Sequence, residues 1–176
     1  GTFLFSARRS YLDFIFKAAG FAFVPEYWDI TGRMNHRFDE ANELTFLVVG
    51  AIDDVSFFDR DADDRFSNSR VLGTEQRQYA SGFSWRHLFS HGYTSLSLNR
   101  SFVRYNGVQR DSLLNPIFAN RSDESETGLR GDVVYKISPS FEFSFGASAK
   151  NIRFLSNLAI PGFVTPFGDT LRVRVN

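Results

Sequence analysis

The sequence predicts an all-β fold, an antiparallel up-and-down β-barrel that spans a membrane, of which these residues supply about eight strands. First, apolar and polar residues alternate at every step in several segments, as they do along strands. Second, aromatic residues make up 16% of the chain, with 21 Phe, and such residues favour strands and membrane interfaces. Third, short and long connections alternate strictly, which is typical of outer-membrane barrels.

Eight segments carry the strand pattern. The clearest are Leu171–Asn176 and Phe141–Ala149, in which Phe141, Phe143 and Phe145 share one side. The other six are predicted over Thr2–Tyr11, Tyr27–Phe38, Glu43–Asp53, Gln76–Phe89, Tyr93–Tyr105 and Thr127–Ile137. Strands of about nine or more residues are long enough to cross a membrane when they are tilted.

The predicted connections form two sets. Residues 39–42, 90–92 and 138–140 are tight turns, whereas 58–75, 106–126 and 158–168 are long and polar. Aromatic residues border each tight turn and predict an interfacial girdle on the periplasmic rim; they are Phe38, Phe89, Tyr93 and Phe141. The aromatic stretch Tyr11–Val24 is predicted to be an external loop with a helical turn.

Alternation also assigns the direction in which side chains face. On the second strand the outward set is Trp28, Ile30, Gly32, Met34 and Phe38, and the inward set is Asp29, Thr31, Arg33, Asn35 and Arg37. A soluble sandwich has the same periodicity, so strand length and the asymmetry of the loops favour the barrel. Three residues conflict with a purely apolar lipid face, namely His36, His87 and Arg100.

Charge and composition exclude several classes of function. Twenty basic and twenty acidic residues cancel, so no nucleic-acid partner is expected. The chain has no Cys, which excludes a disulfide framework and a thiolate metal site. The longest apolar stretch, Tyr11–Val24, is too short for a spanning helix.

Motifs for catalysis or metal binding are not recognisable. The acidic run Asp53–Asp64 fails as an EF-hand loop, because Asp64 stands where Gly is needed and Arg70 where a bidentate Glu is needed. The three histidines lack metalloprotease spacing, and no nucleophile motif or phosphate-binding loop occurs. We therefore expect no enzyme activity, no metal and no cofactor.

Polar residues assigned to the inside of the barrel are the candidate site. They would line a channel or contact an enclosed plug, although a wet interior also accounts for them without a ligand. The seven candidates are Arg8, Asp53, Arg86, Asn99, Arg130, Asp132 and Lys150.

Three stretches of the chain are similar to parts of one known kind of barrel: Gly1–Asp13, the hairpin of Asp29–Asn35 with Asn42–Phe46, and the hairpin of Gly82–Arg86 with Gly92–Ser97. The first resembles an early strand, and the other two resemble hairpins, of the barrel of TonB-dependent outer-membrane receptors. The resemblance implies about twenty-two strands around a plug domain and uptake of iron-siderophore complexes, cobalamin or glycans, energised through TonB.

No plug domain, TonB-contacting segment or closing aromatic strand is recognisable in these residues. We therefore expect residues 1–176 to be one partial outer-membrane barrel domain. Its expected partners are outer-membrane lipid, its own plug, TonB and a small-molecule or glycan solute. Two alternatives remain open: a complete eight-stranded barrel with a structural or adhesive role, and a soluble β-sandwich that binds a ligand.

Overall fold

The computed structural model describes residues 1–160, 162–164, 170–171 and 174–175. Seven long strands and two short helices come first, followed by three strands of two residues each. In chain order the elements are β1 (Thr2–Arg9), α1 (Leu12–Ala18), β2 (Phe23–Arg37), β3 (Asn42–Phe57), α2 (Ala62–Asn68), β4 (Gly73–Phe89), β5 (Gly92–Arg110), β6 (Pro116–Ser138), β7 (Phe141–Ala159), β8 (Phe163–Val164), β9 (Thr170–Leu171) and β10 (Arg174–Val175).

The seven long strands form one antiparallel sheet in which each strand pairs with the next along the chain. This confirms the predicted all-β, up-and-down arrangement. The sheet is open in the described residues. There β1 pairs only with β2, and β7 pairs beyond β6 only with β10, through Leu158 and Ala159. Strands β8 and β9 form a separate hairpin.

The strands are longer than predicted, and the predicted long loop over 106–126 is wrong. Strand β5 continues to Arg110 and β6 begins at Pro116, so the connection is residues 111–115. Here both sides of the sheet are polar. Alternation reveals a strand only where one side is apolar, so the pattern faded before the strands ended.

The other connections on this rim contain the two helices. Helix α1 lies in the predicted loop Tyr11–Val24, as expected, and α2 lies in residues 58–72. Strand β7 continues to Ala159, so the predicted loop over 158–168 begins too early; residues 161 and 165–168 of it lie outside the described residues. Of the predicted strand Leu171–Asn176, residues 172, 173 and 176 also lie outside them.

The opposite rim has the predicted tight turns, at residues 38–41, 90–91 and 139–140. In the first, the Asp39 carboxylate accepts hydrogen bonds from the backbone N–H groups of Ala41 and Asn42, at 2.8 and 2.7 Å. The Asn42 side chain also donates to it. These donors, led by the Asn42 amide, lower the pKa of Asp39.

The sheet has almost no interior of its own. In the described part of the chain the only buried apolar residues are Ala22 and Val24, and no second layer covers either side of the large sheet. A β-sandwich instead buries one face of each sheet against the other. No helix among the described residues is long and apolar enough to cross a membrane.

Candidate functional site

The candidate site is one side of the sheet, which we call the polar face. Side chains of directly paired residues point to the same side of a sheet, and successive residues alternate. Following the pairing from Asp29 on β2 across to β7 brings all seven residues predicted from the sequence to the same side: Arg8, Asp53, Arg86, Asn99, Arg130, Asp132 and Lys150.

Five of these seven residues form ion pairs on the polar face. Arg8 donates to Asp29 at 2.9 Å, and Arg130 donates to both oxygens of Asp132 at 2.8 and 2.9 Å. Two further pairs are Lys150 with Glu126, at 2.8 Å, and Arg86 with Glu43. Asp53 and Asn99 have no ion-pair partner in the described structure.

The sequence prediction missed Glu43 and Glu126 as partners. Glu126 could not be placed from the tight turn at residues 139–140, because a β-bulge between Lys136 and Ser138 shifts the register of β6 against β7 by one residue. Glu43 could not be placed either, because residues 58–72 separate β3 from β4 and leave their register open.

The polar face carries a depression between β1 and β5. A shallow groove there is lined by polar side chains and by a few small apolar ones; they include Arg8, Asp29, Thr31, Val49, Gln78 and Val103. The groove has room for a polar solute or for another segment of protein, and its charged residues are already paired.

The other side, which we call the apolar face, carries a continuous belt of mostly apolar residues, many of them large. The belt, named the apolar band, consists of Phe3, Phe5 and Ala7 on β1; Trp28, Ile30, Gly32 and Met34 on β2; Leu44, Phe46, Val48, Gly50 and Ile52 on β3; Tyr79, Ser81, Phe83 and Trp85 on β4; Leu96 and Leu98 on β5; Leu129, Gly131, Val133 and Tyr135 on β6; and Phe143, Phe145, Ala147 and Ala149 on β7. Much of it is exposed, with Phe3 at 87% and Phe145 at 60%.

The apolar band runs obliquely across the strands. Met34 is in register with Ala149 through Phe46, Phe83, Leu98 and Leu129. Met34 is the band residue of β2 nearest the tight turns, whereas Ala149 is the band residue of β7 farthest from them. The edge of the band nearer the long loops is Trp28 on β2 and Ala149 on β7. Because Ala149 is in register with Met34, this edge moves toward the tight turns by six residues between β2 and β7, from the level of Trp28 to the level of Met34.

Aromatic and histidine side chains border the band at the tight-turn rim. Trp85, His87, Phe89 and Tyr135 form a chain with ring centroids 5.8, 6.4 and 6.1 Å apart. Tyr93, predicted to belong to this girdle, instead shares the polar face with Ser95 and Ser97.

The three residues that conflicted with an apolar lipid face do lie on the apolar face, at its edges. His36 packs against Phe38, with centroids 4.6 Å apart, and His87 contacts the Asn42 side chain at 2.9 Å, both at the tight-turn rim. Arg100 lies just beyond Leu98, at the edge of the band nearer the long loops.

Beyond the band, toward the long loops, the apolar face becomes charged. Arg77 pairs with Glu75 at 2.7 Å, and Arg104 donates two hydrogen bonds to Asp123, at 2.8 and 2.9 Å. Trp28 marks the start of this zone, with the Arg9 guanidinium 5.6 Å from its ring centroid. The sheet therefore extends past the band into a region where β4, β5 and β6 carry charges on the apolar face, while β7 still exposes Ile152, Phe154 and Leu155.

The acidic run has structural roles. Asp61 caps α2 by accepting from the Asp64 N–H at 2.8 Å, Asp64 accepts from Arg60, and Asp59 accepts from Asn68. In the described residues no group of three or more His, Asp or Glu side chains is placed to hold a metal.

Comparisons with protein-family models, with curated proteins and with solved structures gave no match for this chain. Its function must therefore be argued from the two faces of the sheet and from the resemblance described above.

Proposed function

We propose that the chain is part of the wall of a β-barrel in the bacterial outer membrane, with its apolar face in lipid and its polar face toward the lumen. The oblique apolar band carries this proposal. Six residues at about 3.3 Å each amount to about 20 Å along the strands, and five strand spacings of about 4.8 Å amount to about 24 Å across them. The band is level when the strands tilt by about 40°, and outer-membrane barrel strands tilt by about 35–45°.

The height of the band supports the same proposal. On β3 it runs from Leu44 to Ile52, about 26 Å along the strand and about 20 Å along the membrane normal at this tilt. The side chains at both ends bring it close to the ~25 Å apolar height of outer-membrane barrels. The tight turns are then periplasmic, and the charged ends of β4 to β7 project outside the cell.

We further propose that this barrel belongs to a TonB-dependent receptor that takes up a scarce solute, such as a siderophore-iron complex, cobalamin or a glycan. This part of the proposal depends on the sequence resemblance. It is supported by strands of 17 to 23 residues, which extend well past the band, and by the groove on the polar face, which has room for a polar solute. The role requires no catalytic residue.

A pair of adjacent cysteines tests which face meets lipid. The chain has no Cys, so Leu98→Cys on the apolar face and Asn99→Cys on the polar face each introduce one thiol. In lipid vesicles we expect an environment-sensitive dye on residue 98 to show blue-shifted emission and quenching by lipids that carry a nitroxide in the acyl chain. The same dye on residue 99 should show much less of both.

Equal quenching at the two positions would contradict the proposal. So would a chain that reaches its full β content in buffer without lipid or detergent, because a soluble sheet needs neither. A second matched pair, Phe83→Cys and Gly82→Cys, repeats the comparison on β4, where the two residues again lie on opposite faces.

The receptor part needs a separate test in cells that produce the complete protein. Uptake of a labelled siderophore-iron complex, cobalamin or glycan is measured with TonB present and with TonB deleted. We expect uptake that requires TonB. Uptake that continues unchanged without TonB would exclude the receptor and leave the barrel proposal standing.

The complete eight-stranded barrel remains the alternative, and its closure can be measured. A closed barrel migrates faster on unheated than on heated detergent gels. We expect no such shift for this chain, because β1 pairs only with β2 in the described residues. A clear shift would favour the small barrel.

A further inference from the structure

Four arginines gather on the apolar face of β5, β6 and β7, toward the long loops; we call them the arginine patch, Arg100, Arg104, Arg121 and Arg153. Their strand pairing places them together. Arg104 is opposite Asp123, and Arg121 lies two residues from Asp123 on the same face. Arg153 is opposite Ser125, the next residue of that face along β6.

Only one of these charges is neutralised in the described structure. Arg104 forms its two-bonded pair with Asp123. Arg100 donates instead to two hydroxyls, those of Tyr79 and Thr127, at 3.1 and 3.2 Å. Among the described residues, no carboxylate lies within ion-pair distance of Arg100, Arg121 or Arg153, and all three are exposed. The patch therefore carries about three uncompensated positive charges.

The patch starts where the apolar band stops. On β5, Arg100 follows Leu98 on the same face. The corresponding band residues of the next two strands are Leu129 and Ala149, which are in register with Leu98. Farther toward the long loops on the same face, Thr127 follows Leu129 on β6 and Asn151 follows Ala149 on β7. Arg153 is the next residue of that face after Asn151. Hydrocarbon contacts and guanidinium groups are thus arranged in the order in which a lipid presents its chains and its phosphate.

We propose that the arginine patch binds the phosphate group of a membrane lipid whose acyl chains lie along the band at Leu98, Leu129 and Ala149. This inference rests on the proposed membrane orientation. Guanidinium groups bind phosphate through paired hydrogen bonds, and basic residues near a bilayer surface attract anionic lipids by about fivefold in affinity per residue. The bound lipid would be held at the end of the band nearest the long loops.

A tryptophan beside the patch can report which lipids contact it. Phe102 lies on the same face, between Arg100 and Arg104, so Phe102→Trp is introduced together with Trp28→Phe and Trp85→Phe to leave a single tryptophan. Phosphatidylcholine vesicles receive the same fraction of brominated phosphatidic acid or brominated phosphatidylcholine. We expect phosphatidic acid to quench the introduced tryptophan as if it were bound at least tenfold more tightly.

A matched pair of charge-removing variants assigns the preference to the patch. Arg100→Gln, Arg121→Gln and Arg153→Gln together should reduce the preference to near onefold. The control removes three positive charges from the polar face by Arg33→Gln, Arg37→Gln and Lys136→Gln, and should leave the preference unchanged. Equal loss in both variants would mean that net charge, and not this patch, attracts the lipid, which would overturn the inference.

The remaining outcomes separate this inference from the proposed function. If both brominated lipids quench the introduced tryptophan equally, the wall lies in lipid but the patch does not select phosphate, and only the inference fails. If neither lipid quenches it, the patch does not contact lipid and the inference fails, while the dye comparison at residues 98 and 99 decides separately whether the proposed membrane orientation stands. If inorganic phosphate changes the emission of the introduced tryptophan but phosphatidic acid shows no preference over phosphatidylcholine, the patch is a site for free phosphate and the lipid is excluded.

Discussion

The two faces of the sheet belong to the same strands and differ in the chemistry of their side chains. On the polar face, ion pairs such as Arg8 with Asp29 and Lys150 with Glu126 follow one another across the strands. On the apolar face, Phe and Leu side chains form a band with no second layer over it in the described residues. A protein in water would cover that band, since large exposed apolar patches are uncommon on soluble monomers.

The contrast also changes along the strands. Between the tight turns and the edge marked by Trp28 and Ala149, the two faces are opposite in character. Nearer the long loops, ion pairs such as Arg104 with Asp123 lie on the apolar face too. The difference between the faces is therefore confined to one oblique zone. This confinement is what the proposed membrane wall requires, and an ordinary amphipathic sheet does not require it.

The largest expected effect comes from placing a charge within the band. Val48→Arg should lower the free energy of unfolding by about 2–4 kcal/mol in lipid vesicles, because Val48 lies midway along the band on β3 and an arginine near the middle of the bilayer is costly on the lipid face of a barrel. The control Ser101→Arg, on the polar face opposite Glu126, should change it by less than about 0.5 kcal/mol. Urea unfolding followed by circular dichroism measures both. If the two variants change the free energy of unfolding by similar amounts, the apolar face does not differ from the polar face in its contact with lipid.

A smaller effect is expected from crowding at the tight-turn rim. A Cβ at Gly92 would lie 1.9 Å from the Val134 carbonyl oxygen, which is backbone and yields only if the strands move, whereas a Cβ at Gly82 on the polar face would meet nothing within 4 Å. Gly92→Ala should cost about 1–3 kcal/mol in the same unfolding assay. Gly82→Ala should be neutral or slightly stabilising. A harmless Gly92→Ala would show that β5 and β6 approach less closely.

The smallest expected effect is at the first tight turn and depends on pH. Hydrogen bonds led by that of Asn42 lower the pKa of Asp39 below its ordinary value of 3.8, so the carboxylate stabilises the folded turn above that value. The contribution is lost as the pH falls through the lowered pKa. Asp39→Ala should therefore reduce the urea midpoint at pH 7 slightly, and the difference should shrink when the measurement is repeated at an acidic pH below the lowered pKa of Asp39.

The matched control for this turn is Glu40→Ala. It removes the same charge from the same turn, but the Glu40 side chain makes no hydrogen bond in the described structure. Its urea midpoint should equal that of the unmodified chain at both pH values. An equal loss at pH 7 in both variants would attribute the effect to charge alone.

The sequence predicted the fold best where the two faces differ most. Inside the band, alternation located Phe141–Ala149 and the tight turns beside it, and it placed residues as distant as Arg8 and Lys150 on one face. Beyond the band it failed, as in Ser122–Glu126, where both faces are polar and a strand has the composition of a loop.

Within the site, the paired partners were harder to predict than the face. Arg86 meets Glu43 across strands joined by residues 58–72, and nothing in a long connection fixes a register. Tyr93 was misassigned for a different reason. Its aromatic ring suggested a girdle, although its even spacing from Ser95 and Ser97 places it on the polar face.

The uncovered side of β7 constrains how the chain can enter a bilayer. Along Phe141–Asn157 every second residue points its N–H and C=O away from β6, and no strand in the described residues receives them. Water satisfies these groups, but in hydrocarbon each unsatisfied one costs several kcal/mol. In the proposed membrane orientation the strands therefore cannot insert with this edge bare, and covering it must be part of the same step as insertion.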